Sequence, residues 1–179
     1  MVKKTTKELA DDILSDIQFA INAHIHHPKS SDDAVRFWDR TTPYIVHPTW
    51  CAMTILTETT LDDHIRLNGS RALLWHDILE DTTISNLPAG TPDTVLSYVQ
   101  DMTFNSFAEE LDIIWSRDKE IRLLKLYDKV SNLLDGTWMK DKKWNDYIDF
   151  TLNLARDVET NYGLLNIVKI STTIAVKKS

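Results

Sequence analysis

Residues 72–81 read Ala-Leu-Leu-Trp-His-Asp-Ile-Leu-Glu-Asp. An ionisable pair, His76-Asp77, interrupts an apolar run, and two more carboxylates follow at once. Burying such a pair inside a helix is costly unless the groups are paired or hold a metal. On a helix Glu80 lies one turn from His76 and Asp77, and Asp81 lies one turn from Asp77. The stretch can also be read as a helix C-terminus with a solvated acidic end. That reading predicts cations there, because the C-terminus of a helix repels anions. A bound cation reverses the penalty, so the run points to a helix that carries ligands.

The surrounding chain has helical spacing. The 179 residues include only 4 Gly and 5 Pro. So few glycines speak against a turn-rich barrel or sandwich and against a glycine-rich phosphate loop. They favour helices joined by short connections. Thr5-Thr6-Lys7-Glu8 has the spacing of a capping box. Behind it Leu9, Ile13, Ile17, Ala20 and Ile21 recur with helical period, which predicts a first helix to about His24. Pro28 and the polar stretch to Thr42 read as a long loop, and long loops are often functional. Pro48 fits the first turn of a second helix. Asn68-Gly69 reads as an interruption of a third helical region, with Ser70 capping its continuation through Asp81. Thr91-Pro92 starts a further helix. Ser116 reads as the cap of a helix from Arg117 to Leu134, stopped at Gly136. A last long helix fits Lys142 to Tyr162, with Gly163 as its stop. The tail from 164 to 179 mixes β-branched residues with weak alternation and leaves helix, strand and packed strap open.

The chain is acidic, with 27 Asp and Glu against 20 Lys and Arg and a net charge of -7. That balance speaks against a surface for polymeric nucleic acid, which must be basic. It leaves room for a small anionic ligand at one site. Cys51 is the only cysteine, so an internal disulfide and a cysteine-rich zinc site are excluded. The N-terminal stretch lacks the apolar core of a secretory signal. The longest uncharged run, Thr41 to Thr57, is too short and too polar to span a membrane. The expectation is a soluble cytoplasmic chain, a monomer or small homo-oligomer.

His24, His26 and His27 fall at the end of the first helix, where cationic side chains suit the dipole. His64 reads as solvated. Asp128 is different, because Leu124, Leu126, Tyr127, Val130 and Leu133 around it are core-like. A carboxylate on an apolar helix asks for a partner, and Lys125 or Lys129 can serve. Asn132 lies one turn on, on the same face.

Three strings taken together carry a resemblance: TPYIVHP around His47, ALLWHDILEDT around His76 and Asp77, and LLKLYDKVSNL around Asp128. The sequence resembles the HD-domain metal-dependent phosphohydrolases. It is most similar to the hydrolase domain of RelA/SpoT-type alarmone enzymes and their small stand-alone relatives. The likeness runs from about Ala20 to Tyr162. It implies an all-α, single HD-domain helical bundle over residues 1–163. It also implies one divalent metal held by His47, His76, Asp77 and Asp128. Two imidazoles and two carboxylates suit Mn, Co or Fe, with Mg also possible. Glu80 is assigned proton handling, with Asp81 as its partner or as a group that orients it. Asn132, Lys129, Lys125, Arg40 and Tyr147 are the expected substrate contacts.

The implied reaction is hydrolysis of a phosphate ester or anhydride of a nucleotide, first of all loss of 3'-pyrophosphate from an alarmone of the (p)ppGpp type. The alternatives are hydrolysis of nucleoside mono-, di- or triphosphates, and a nucleotide-binding module without turnover. One departure bears on the substrate. The family carries an Arg-Lys pair before the TPY string, with the arginine stacking on guanine. Here that loop reads DDAVRFWDRT, where only Arg36 or Arg40 can stand in. Trp38 can stack on a base or anchor the core.

Overall fold

The structure is a computed structural model and describes residues 5–175. Positions 1–4 of the N-terminal stretch and 176–179 of the tail lie outside the described residues. In chain order the helices are α1 Thr6–His26, α2 Val46–Ile55, α3 Asp63–Trp75 and α4 Ile78–Asp81. They are followed by α5 Asp93–Met102, α6 Phe107–Ile113, α7 Lys119–Leu134, α8 Asp141–Tyr162 and α9 Asn166–Ile174. No strand occurs among the described residues. Two isolated bridges, Pro28 with Thr82 and Val35 with Pro43, pin the loop between α1 and α2.

The bundle is built around α7. Of its 16 residues, 11 are buried, so it has no solvent face. A helix enclosed on all sides must place its polar side chains against something specific. Its apolar residues Leu123, Leu124, Leu126, Tyr127 and Val130 enter the main core. Helices α2, α3, α5, α8 and α9 pack around it. Its buried polar residues are Lys125, Asp128, Lys129 and Ser131. A satellite core of Leu133, Met139, Trp144, Tyr147 and Ile148 lies beyond its C-terminus.

The ends of α1 and α8 follow the sequence signals. Thr5 N–H donates to Glu8 Oε2 at 2.7 Å, and Glu8 N–H donates to Thr5 Oγ1 at 3.3 Å. Gly163 ends α8 with φ 83°, a conformation that only glycine adopts without strain.

Other signals give way to packing. Asn68-Gly69 does not interrupt α3. A Cβ on Gly69 would lie 2.9 Å from Leu124 Cδ2 and 3.0 Å from Ile55 Cδ1, so the glycine lets α2, α3 and α7 approach. Ser70 caps nothing, because its hydroxyl donates to Ala52 O across to α2 at 2.8 Å. The helix breaks later, at His76-Asp77, before the single turn of α4. Ser116 sits in a 3-10 turn, Ile114–Ser116, and α7 begins three residues on.

The tail resolves as helix α9 over its described part. Glu58 holds it there. This carboxylate is 2% exposed. It accepts hydrogen bonds from Asn166 N–H at 3.0 Å, Ile167 N–H at 2.9 Å and Tyr127 O–H at 3.0 Å. An anion at a helix N-terminus satisfies amides that have no partner within the helix. No helix among the described residues is long and apolar enough to cross a membrane.

Replacing Glu58 by Ala removes the acceptor of the Asn166 amide and strands the buried Ile167 amide and Tyr127 phenol. The expected loss is about 3 kcal/mol of unfolding free energy, read as a lower urea midpoint. Glu58→Gln, which keeps two acceptor sites, should lose less.

Candidate metal centre

Four donor atoms converge from two helices and the α3–α4 break. His47 stands on the first turn of α2, His76 and Asp77 fill the break, and Asp128 lies at mid-α7. His47 Nε2 lies 3.3 Å from His76 Nε2, 3.4 Å from Asp77 Oδ2 and 3.4 Å from Asp128 Oδ1. His76 Nε2 lies 2.9 Å from Asp77 Oδ2 and 3.8 Å from Asp128 Oδ1. Ligands about 2.1 Å from one ion stand about 3.0–3.4 Å apart at octahedral or tetrahedral angles. His47, His76 and Asp77 form a mutually close set that fits a single divalent cation, and Asp128 Oδ1 stands beside it, nearest to His47. All four side chains are buried.

A second layer orients each donor. His76 Nδ1 is 2.7 Å from the Leu73 carbonyl, which can only accept, so Nδ1 carries the proton and Nε2 faces the centre. A continuous helix would give that carbonyl to the Asp77 amide, so the ring bond falls where α3 ends. His47 Nδ1 lies 2.8 Å from Ser131 Oγ. Tyr44 O–H donates to Asp77 Oδ2 at 2.6 Å, and Asn132 Nδ2–H donates to Asp128 Oδ1 at 2.7 Å. Such partners fix ligand geometry in metal sites.

The charges are strongly coupled. Burial acts to lower the His76 pKa, but Asp77 and hydrogen bonds to Asp128 and Asp77 outweigh it and raise it to about 10. Burial works against the Asp128 carboxylate, yet Lys129 and Lys125 hold its pKa well below the usual range. Without a metal ion, protons and lysines offset the carboxylates. A divalent ion can replace the His76 proton.

A cleft of about 600 Å³ opens over Asp77 and Asp128. Glu80, Asp81, Lys125, Lys129, Asn132 and Tyr147 all line it. Burial, against the attraction of Lys125, raises the Glu80 pKa to about 7. Burial and the charges of Asp77 and Glu80 raise that of Asp81 to about 8. Phe104 N–H donates to Glu80 Oε1 at 2.7 Å and fixes its carboxyl. Lys129 Nζ pairs with Glu110 at 2.7 Å and with Asp128 at 3.0 Å, and Lys125 Nζ pairs with Asp128 at 3.2 Å. Tyr147 stacks on Phe107 with centroids 5.2 Å apart.

Arg40 is the expected contact that does not line the cleft. It is exposed, pairs with Asp32 at 2.9 Å and lies over Phe37. Trp38 is likewise turned away, into a groove beside Val46 and Trp50. Phe37 faces the cleft instead, packed on Trp138 with centroids 4.8 Å apart.

No family model matches the sequence, and no curated protein matches it. A solved structure does. It is described as a metazoan ortholog of SpoT that hydrolyses ppGpp and plays a role in starvation responses. It superposes with a TM-score of 0.68 over 97% of this chain and 96% of that chain, at 18% identity. The chain shares the all-α fold of that protein.

Sequence reasoning missed several neighbours of the centre. Ser131 and Asp135 are three and seven residues beyond Asp128, a spacing that puts them near its face of α7. That signal was there to be read. Tyr44, Glu110, Lys29 and Trp138 had no comparable signal, because they reach the cleft from other segments. His24 departs from its expected role. It is 1% exposed, 4.8 Å from the Tyr44 ring and without a hydrogen-bond partner on either nitrogen. Burial, against the pull of Asp77, lowers its pKa to about 4, so it is neutral rather than a cation for the helix dipole.

Two predictions follow from these charges. Mn²⁺ at a hundredfold excess over its Kd should stabilise the EDTA-treated protein by about 2.7 kcal/mol, or about 5–10 °C in Tm. His76→Ala or Asp77→Ala should remove that shift while helical circular dichroism persists. The second concerns His24, whose folded pKa is depressed. Its contribution to stability is complete above pH 6.5 and is lost as pH falls through 4. In EDTA, unfolding titrations should lose about 3 kcal/mol more from the wild type than from His24→Leu between pH 7 and pH 4.

Proposed function

We propose that this chain is a metal-dependent phosphohydrolase of nucleotides, an HD-superfamily enzyme whose first candidate substrate is a (p)ppGpp-type alarmone carrying a 3'-pyrophosphate. One observation carries the reading: His47, His76 and Asp77, buried and spaced for one divalent ion, lie with Asp128 beside them under a cleft lined by both lysines and carboxylates. The fold shared with a protein described as a ppGpp hydrolase supports it.

A divalent metal of the Mn, Co or Fe type, held by His47, His76, Asp77 and Asp128, would supply Lewis-acid chemistry and an acidified water. The chain's own groups do the rest. Lys125 and Lys129 are buried cations that line the cleft and face transferring phosphate. Lysine binds phosphate as a point charge. Glu80 has a pKa near 7, which suits a group that takes a proton from attacking water and returns it to the leaving group. The Phe104 amide holds that carboxyl in place. Burial and the charges of Asp77 and Glu80 favour the protonated form of Asp81, which can donate a hydrogen bond. Phe37, Trp138 and Tyr147 give the cleft aromatic walls, suited to a nucleoside.

A second reading, hydrolysis of other nucleotides, is favoured by Arg36. Its guanidinium edge is fully engaged by Asp135 and Asn132, so it is not a free arm for a guanine base. A nucleotide panel with added Mn²⁺ or Co²⁺ separates the readings. The expected result is release of pyrophosphate from a 3'-pyrophosphorylated guanosine and none from nucleoside 5'-triphosphates. The reverse pattern would establish the second reading. Turnover of no nucleotide by the metal-loaded protein would leave a binding module. Glu80→Gln should lower kcat by about 10²–10⁴ while the metal content measured by atomic absorption is unchanged.

A further inference from the structure

The loop from Val35 to Pro43 is a small closed unit. Arg36 N–H donates to Thr42 O at 2.8 Å and Tyr44 N–H to Ala34 O at 2.9 Å. Asp39 Oδ1 accepts from the Thr41 and Thr42 amides, each at 2.9 Å. This turn delivers the Arg36 side chain inward, where the residue is 6% exposed. Its Nε donates to Asp135 Oδ2 at 2.6 Å, and its Nη2 donates to Asp135 Oδ1 at 2.9 Å. The same Nη2 donates to Asn132 Oδ1 at 2.8 Å. That contact settles which way the Asn132 amide points. Its Nδ2–H must face Asp128 Oδ1, 2.7 Å away, the oxygen that lies 3.4 Å from His47 Nε2. A reversed amide would set its oxygen against a carboxylate oxygen.

We propose that Asp135 is a positioning residue of the metal centre, acting through Arg36 and Asn132 on the ligating oxygen of Asp128. The argument rests on the metal-site reading above. Asp128 is then pinned at both oxygens: Oδ1 by Asn132, and Oδ2 by Lys125 at 3.2 Å and Lys129 at 3.0 Å. One lone pair of Oδ1 is spent on Asn132, and the other is left for the ion. The planar fork of arginine is required, because it meets a carboxylate with two parallel bonds and still has a donor left for Asn132. Without Asp135 a buried cation loses its counter-charge, and both Arg36 and the Asn132 amide are released. Arg36 also lies over the Tyr44 ring at 5.3 Å, and Tyr44 holds Asp77. Substituting Arg36 therefore disturbs both carboxylate ligands, whereas substituting Asp135 addresses the Asn132 arm most directly.

The test is Mn²⁺ affinity of the full chain, followed by electron paramagnetic resonance, alongside urea unfolding in EDTA. Asp135→Asn is expected to bind Mn²⁺ about 10–100-fold more weakly, with Asp135→Glu recovering most of the loss. Arg36→Lys should lose at least as much. The double variant should bind no more weakly than Arg36→Lys alone, because the two residues act in one chain of contacts. Wild-type affinity in Asp135→Asn overturns the proposal and leaves the metal site standing. So does a loss that Asp135→Glu fails to reverse although that variant unfolds at the wild-type midpoint. A wild-type protein that takes up no Mn²⁺ overturns both.

Discussion

Two imidazoles and two carboxylates are buried together, each carboxylate with an oxygen 3.4 Å from His47 Nε2, and the surrounding architecture compensates for them. Isolated ionised groups do not survive in a protein interior. Here the compensation is layered. Lysines flank Asp128, a phenol holds Asp77, a carbonyl orients His76, and a divalent cation, when bound, would neutralise the carboxylates. Each partner comes from a different part of the chain, so the centre ties α2, the α3–α4 break, α7 and the loop before α2 into one unit.

Helix α7 makes this arrangement possible. A helix buried on every side is costly to build from polar residues, yet this one carries Lys125, Asp128, Lys129 and Ser131 inside. They fall at spacings of three and four, so they lie along one flank and reach toward the cleft and His47. The remaining flanks are apolar and fill the core between α2, α3, α8 and α9. The same helix therefore supplies hydrophobic cohesion and site chemistry, and a change in its rotation would cost both. Gly69 and Glu58 serve it indirectly, one by letting α3 come close and the other by tying α9 and Tyr127 together.

The cleft has two characters. Near the donors it is ionic, with Lys125, Lys129, Glu80 and Asp81. At its rim it is aromatic, with Phe37 and Trp138 in contact. That division suits a ligand with a charged end and a flat apolar end, as a nucleotide has. The net charge of -7 is compatible with an anionic ligand because at least four carboxylates, Asp77, Glu80, Asp81 and Asp128, belong to the site. Once a divalent ion is bound, an acidic cluster becomes a receptor for phosphate.

The helical character, most helix boundaries and the oddity of the His76-Asp77 pair were legible in the sequence, because each leaves a local trace, whereas the set of four donors was an expectation from the resemblance. Helices leave a period, caps leave spacings of three, and an ionisable pair in an apolar run stands out against its neighbours. What involved contact between distant segments was not legible. Gly69 read as a break because glycine destabilises an isolated helix, whereas close packing with Leu124 and Ile55 makes it the residue that fits. His24 read as a surface cation because its burial depends on the loop folding over it. Trp38 and Phe37 are adjacent and chemically alike, and only the turn of their loop decided which one faces the cleft. The sequence by itself determined the donor chemistry, since ligand atoms belong to residue types. Tertiary structure alone decided their convergence, their hydrogen-bonded orientation and the locking of Arg36 against Asp135, because these depend on distances between segments as much as 99 residues apart.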